Sequence, residues 1–174
     1  MGLLRGRHEE RRGDEPVRYQ MREKIFSIGD DYWIENNRGE RVFKVDGKAV
    51  RVRETVLIKD VGGAELCKVQ QKKLRIHDTM EIERNGHTLA TVKKALIAPL
   101  RQRYSVDVHD GEDLEVHGNI VDHEYRVERH GTKVAEVSKR WFRVRETYGI
   151  EISPGQDEPL ILAVSVCLDR MSRD

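Results

Sequence analysis

Leu160 to Leu168 read LILAVSVCL, nine residues of which only Ser165 carries a polar side chain. The chain around them is 36% charged, so a segment this apolar must be buried somewhere. A transmembrane helix is too short a fit: about twelve helical residues span roughly 18 Å, against a hydrocarbon core of about 30 Å. A final buried strand suits the β-branched Ile161, Val164 and Val166. A helix suits the punctuation. Asp157 can cap it, Pro159 fits a first helical turn and Glu158 complements the positive end, while Arg170 and Arg173 suit the negative end. Such a helix is apolar all round, so its surroundings must enclose it on every side.

What encloses it is written between residues 25 and 152, where apolar residues alternate with polar ones and glycines interrupt the pattern. MEIERNGHTLATV places Met80 and Ile82 on one face and turns at Asn85-Gly86, two residues that tolerate the positive φ of a tight hairpin. YRVERHGTKVAEV repeats the plan 45 residues later, with Tyr125, Val127, Gly131, Ala135 and Val137 falling on Met80, Ile82, Gly86, Ala90 and Val92. YWIENNRGERVFKV and LIKDVGGAELCKV follow the same order of strand, glycine turn and strand. About eleven to thirteen short strands result by this alternation. A meander of that length hides its edges most simply by closing into a barrel.

Barrel and apolar segment answer each other. Eight strands leave room for side chains only, whereas about eleven or twelve make a can wide enough for a central helix. Each fully buried Leu, Ile or Val contributes about 1.5–3 kcal/mol. Leu160, Ile161, Leu162, Val164, Val166 and Leu168 are therefore expected as a structural core helix, over about 158–171. The fold class expected is all-β with one central helix.

At 174 residues the chain is one domain in size. Residues 1–18 are expected to form a charged, flexible arm, and residues 19–174 a single barrel domain. MGLLRGRHEERRGDEP lacks the apolar run of about 7–15 residues that a secretory signal needs. Gly6 stands where a myristoylation signal has Ser or Thr. Cys67 and Cys167 sit among apolar neighbours and are expected as buried free thiols of a reducing cytosol.

Charge is balanced in sum but not along the chain. Lys plus Arg number 32 against 31 Asp plus Glu, and a net charge of +1 gives no reason to expect nucleic acid as a partner. Residues 66–103 are basic, while residues 107–128 hold eight acidic side chains against Arg126 alone. Lys72-Lys73, Lys93-Lys94 and Lys139-Arg140 each follow the second strand of a hairpin. Should those strand ends share a rim, these pairs and Arg75 form a positive patch attractive to anionic lipid. Solvated strand edges that discourage aggregation explain the same residues. The seven histidines match no metal-binding spacing and are expected as scattered surface residues, with no metal and no cofactor. Trp33, Trp141 and Phe142 are expected to pack in the barrel. No catalytic constellation is visible.

MREKIFSIGDDYWIENNRGERVFKVDGK, LIKDVGGAELCKVQQK, LEVHGNIVDHEYRV, GTKVAEVSKRW and YGIEI…DEPLILAVSVCLDRM together resemble the LURP-one-related family over about residues 19–171. The resemblance implies the fold of the tubby C-terminal domain, related to phospholipid scramblases: a twelve-stranded barrel threaded by a hydrophobic C-terminal helix. Tubby domains are implied to bind phosphoinositide headgroups through a basic surface. No family catalytic motif carries over onto this sequence, and no apolar run here reaches the length of a scramblase membrane segment.

A barrel filled by its own helix has no hollow left for a substrate. The expected role is therefore a non-enzymatic binding or adaptor module of a cytoplasmic protein, peripheral to a membrane and engaging anionic phospholipid. The alternative is a protein-interaction or scaffold role that uses the acidic 107–128 surface; an enzyme with a surface cleft ranks below both.

Overall fold

The computed structural model describes residues 14–22, 31–50, 53–72, 79–95, 103–142 and 146–172. Among them twelve strands run in chain order. These are β1 Val17–Arg22, β2 Tyr32–Asn36, β3 Arg41–Val50, β4 Arg53–Asp60, β5 Glu65–Gln71 and β6 Thr79–Arg84. They continue as β7 His87–Ala95, β8 Arg103–Val108, β9 Leu114–Asn119, β10 Glu124–Arg129, β11 Thr132–Ser138 and β12 Thr147–Ile152. Each strand pairs antiparallel with the next, and β1 pairs with β12, so the sheet is a closed barrel. A helix, α1, spans Glu158–Met171.

The repeated hairpins share more than a turn. In β6–β7 and β10–β11 the turn residues Asn85-Gly86 and His130-Gly131 all have positive φ, as the expected tight turn demands. Four hairpins also carry the same register shift, one residue pair from the turn side of an inward Ile or Val: after Ile34, Ile58, Ile82 and Val127. The residue skipped on the returning strand is Val42, Leu66, Leu89 or Val134, each apolar and packed on or in the core. Each bulge thus adds an apolar residue to the wall and sharpens its twist, which helps a long sheet curl shut.

Closure is uneven. β1 is in register with β12 along its whole length, from Val17↔Ile152 to Arg22↔Thr147. With β2 it pairs only at Tyr19↔Asn36 and Gln20↔Glu35.

α1 fills the axis. Leu160 to Asp169 are all buried, Ser165 included, and they pack with inward residues of the wall such as Val69, Ile82, Val92 and Ile150. The expected punctuation is present: Asp157 accepts from the Leu160 N–H as N-cap, Pro159 sits in the first turn, and Arg170 lies in the last. Arg173 lies outside the described residues. Cys67 and Cys167 are free and buried, and burial pushes both thiols up from their ordinary range. Trp33, Trp141 and Phe142 are half-buried, outside the core. Trp141 and Phe142 lie against Gly149 of β12, where a Cβ would meet either ring at 2.8 Å. Arg18 stacks over Trp141 and Arg41 over Trp33.

Candidate functional site

Alternating strand direction sorts the chain into two rims. Odd-numbered strands end, and even-numbered strands begin, at what is here the upper rim; the reverse holds at the lower rim. α1 runs from lower to upper. Its cap Asp157 is bonded by Arg84 at the end of β6, with Nη1 and Nη2 at 2.7 and 2.8 Å. Its last turn carries Asp169, which is bonded to His123 before β10 and to Tyr148 at the start of β12.

The expected basic residues fall on the upper rim. Lys72 follows β5, Lys93 and Lys94 close β7, and Lys139 and Arg140 form a 3-10 turn, Lys139–Trp141, after β11. Lys73 and Arg75 lie outside the described residues. Three residues not expected in the basic patch join this rim: Arg22 ending β1, Arg103 opening β8 and Arg170 ending the helix. Against them stand Asp31, Asp122, Glu124 and Glu146. The sequence signal for Arg22 and Arg103 was their place at the ends of odd and beginnings of even runs, which matters only once the strands are numbered.

Lys72 and Arg140 are held loosely and Lys93 closely. Lys72 reaches Glu81 at 4.0 Å and Arg140 reaches Glu124 at 3.7 Å, while Lys93 bonds Asp107. Arg140 is highly exposed. Exposed pairs of this kind contribute about 0–1 kcal/mol, so a multivalent anion can displace the carboxylates at small cost. The helix C-terminus below them adds a partial negative charge that favours a cationic rim.

Beneath that rim lies the feature that sequence reading missed. His123, expected as a surface residue, is 6% exposed and Asp169 is 1% exposed. His123 Nε2 lies 2.6 Å from Asp169 Oδ1, and the Tyr148 hydroxyl donates to Asp169 Oδ2 at 2.9 Å. The His123 ring stacks on Tyr148 with centroids 4.3 Å apart. Burial pushes the Tyr148 phenol well above its ordinary range and the Asp169 carboxylate adds to the shift, so the phenol stays a donor. The available signal was Asp169 itself, the one acidic side chain in the helix beyond its first turn. An acid near a helix C-terminus is disfavoured unless something binds it.

The acidic 107–128 segment does not form one face. Asp107 lies on the wall beside Lys93, and Asp110, Glu112 and Asp113 lie at the lower rim. Asp122 and Glu124 reach the upper rim, while Glu115 and Glu128 flank His117 on the wall. Elsewhere on the outer wall a shallow groove of about 100 Å³ is lined by Gln20, Arg22, Trp33 and Glu35. Among the described residues no helix is long and apolar enough to cross a membrane.

Comparison with known proteins agrees with this architecture. A Bacillus subtilis (strain 168) protein, described as the uncharacterized protein YxjI, is 24% identical over 149 residues, covering 86% of this chain and 90% of the relative. A crystal structure of an Arabidopsis thaliana protein superposes with a TM-score of 0.68 at 17% identity, covering 92% of this chain and 93% of that one. The LURP-one-related family model matches residues 17–169. The chain, a twelve-stranded barrel plugged by its own C-terminal helix, belongs to the LURP-one-related family.

Proposed function

We propose that this domain is a non-enzymatic binding module whose upper rim docks on anionic phospholipid headgroups at a membrane surface. One observation carries the reading: the strand ends bearing Lys72, Lys93, Lys94, Lys139 and Arg140 open on a single rim, joined there by Arg22 and Arg103. Each basic side chain near an anionic leaflet adds about 1 kcal/mol of attraction. Arg22, Lys93, Lys94 and Arg103 are held on strands of the closed barrel, which limits the attraction lost to ordering a loop. The helix occupies the axis where a barrel enzyme would hold its substrate, which supports binding rather than catalysis.

Co-sedimentation with vesicles tests this. Binding is expected to phosphatidylserine-containing vesicles at low ionic strength, to weaken steeply with salt, and to be absent with phosphatidylcholine alone. Lys93→Glu with Lys94→Glu, or Lys139→Glu with Arg140→Glu, should abolish it. If the folded wild type fails to bind acidic vesicles at any ionic strength, the reading is wrong.

A further inference from the structure

The chain holds four asparagines, Asn36, Asn37, Asn85 and Asn119, and three of them stand in restrained surroundings. Asn36 donates from its amide to Glu40 at 2.8 Å and accepts from the Arg38 and Glu40 N–H groups at 2.9 and 3.0 Å. The first of those acceptances also engages the N–H that follows Asn37. Asn119 donates to Asp122 at 2.6 Å, accepts from the Asp122 N–H at 3.1 Å, and precedes the fully buried Ile120. Asn85 is different. It is exposed at the tip of the β6–β7 hairpin, and among the described residues neither its amide nor the Gly86 N–H makes a hydrogen bond. A Cβ placed on Gly86 would meet nothing within 4 Å, so no packing holds the turn still. The tight turn calls for Asn and Gly because both accept positive φ, here 52° and 79°. That same pair puts an amide side chain directly before the least hindered backbone nitrogen in the chain.

We propose that Asn85-Gly86 is a self-modifying site, at which the Gly86 nitrogen attacks the Asn85 side-chain carbonyl and water completes conversion to aspartate and isoaspartate. The Gly86 nitrogen loses its proton to solvent base and forms a bond to Asn85 Cγ. The bond from Cγ to Nδ2 breaks, and ammonia leaves with a proton taken from water. Water then opens the resulting five-membered imide. Cleavage of the bond from nitrogen to Cγ gives aspartate, and cleavage at the Asn85 main-chain carbonyl gives isoaspartate, whose backbone runs through Cγ. No electrons are transferred, and solvent water is the only co-reactant.

The product acts on the helix cap. A new carboxylate arises one residue from Arg84, whose guanidinium holds Asp157 at 2.7 and 2.8 Å and the Leu66 carbonyl at 3.1 Å. Isoaspartate also adds one backbone atom to the turn, directly beside the Arg84↔His87 pair. Conversion therefore loosens the lower end of α1. The inference does not rest on lipid binding, since the hairpin tip lies at the rim opposite the surface proposed for it.

Incubating the folded wild type in mildly alkaline buffer and mapping its peptides by mass tests this. The peptide containing Asn85 should gain one mass unit with time, while those containing Asn36, Asn37 and Asn119 stay unchanged. The same peptide should accept a methyl group from an isoaspartyl methyltransferase. The converted protein should melt at a lower temperature than the fresh one. Asn85→Gly keeps a turn that tolerates positive φ and removes the reacting amide, so it should keep its midpoint through the same incubation. The site is overturned if Asn85 keeps its mass under conditions that convert it in a short unfolded peptide of the same sequence, or if another asparagine converts first. A converted protein that melts as the fresh one does, or an Asn85→Gly variant that loses as much as the wild type, overturns the link to the helix cap.

Discussion

Asp169 occupies the place in a helix where a negative charge is least welcome, in the last turn and at the mouth of an apolar barrel. Its acceptors are met by His123 and Tyr148, so the three side chains tie the end of the helix to the β10 and β12 ends of the wall. Asp169→Ala should leave His123 and Tyr148 without their partner in a buried site, at a cost of about 1–3 kcal/mol for each polar group left unmet. A denaturant midpoint would read this, and a loss below about 1 kcal/mol would show that the tie contributes little. Asp157, at the other end, has a different dependence. Burial favours its neutral form, but the Arg84 guanidinium and the Leu160 N–H hold its carboxyl below the ordinary range. A folded-state value below the unfolded one stabilises above the unfolded value, about 3.9, and that stability is lost as pH falls through the folded value. Asp157→Asn keeps a capping side chain and removes the charge. It should cost roughly 1 kcal/mol at neutral pH for this partly exposed pair, and the gap to wild type should close as acid unfolding is followed below about pH 4. A gap that is constant with pH would mean that the ion pair with Arg84 has no part in it. Residues such as Asp157 are legible in sequence because a cap acts on its own neighbours. Asp169 was not, because its partners lie 46 and 21 residues away.

The hairpins were legible for the same local reason: a period of two and a glycine turn both occur within one strand pair, whereas the skipped apolar residue shows only in the pairing register. Elements defined by what lies across the wall were not. The 3-10 turn Lys139–Trp141 falls within KRWF, a run with no turn signal, and rests on Gly149, where the wall lacks a side chain. Gly118 shows how tightly one such approach is set. It has a φ of 134°, and a Cβ on it would lie 2.5 Å from the Glu124 carbonyl oxygen and 2.7 Å from the Tyr125 Cα. Both neighbours are backbone of the paired strand, so neither can swing aside. Gly118→Ala should therefore strain β9 against β10, at about 1–3 kcal/mol, while Gly155→Ala, with open space around it, should lose only what its positive φ demands. Comparing the two thermal midpoints tests this; equal losses would place the whole cost in φ and none in the contact with β10.

At the scale of the molecule, the fold reorders charge that the chain lays out in blocks. A basic stretch followed by an acidic one reads as two patches, yet alternate turns go to opposite ends, so residues 107–128 are divided between both rims and the wall. Counting charge by every second connection recovers that division, and the count needs strand boundaries which alternation fixes only loosely. The barrel and its plug were legible because both follow from amounts of apolar surface: too many short strands to leave open, and one segment too apolar to leave outside. The plug also constrains how the fold is reached. β12 closes the wall against both β1 and β11, and only the short link 153–157 separates it from α1. Closure and filling of the axis are thus neighbouring events in the chain. A wall without its helix would line an empty axis with Val69, Ile82, Val92, Ile150 and their neighbours, all fully buried in the intact barrel. Ending the chain at residue 156 should then abolish cooperative unfolding and leave a dye-binding, loosely packed state. Leu162→Ala, a truncation at a fully buried point of the helix, should keep cooperativity and lose about 2–5 kcal/mol. Calorimetry and dye binding on the two variants distinguish these outcomes, and a truncated chain that still melts in one sharp transition would show that the wall closes without its core helix.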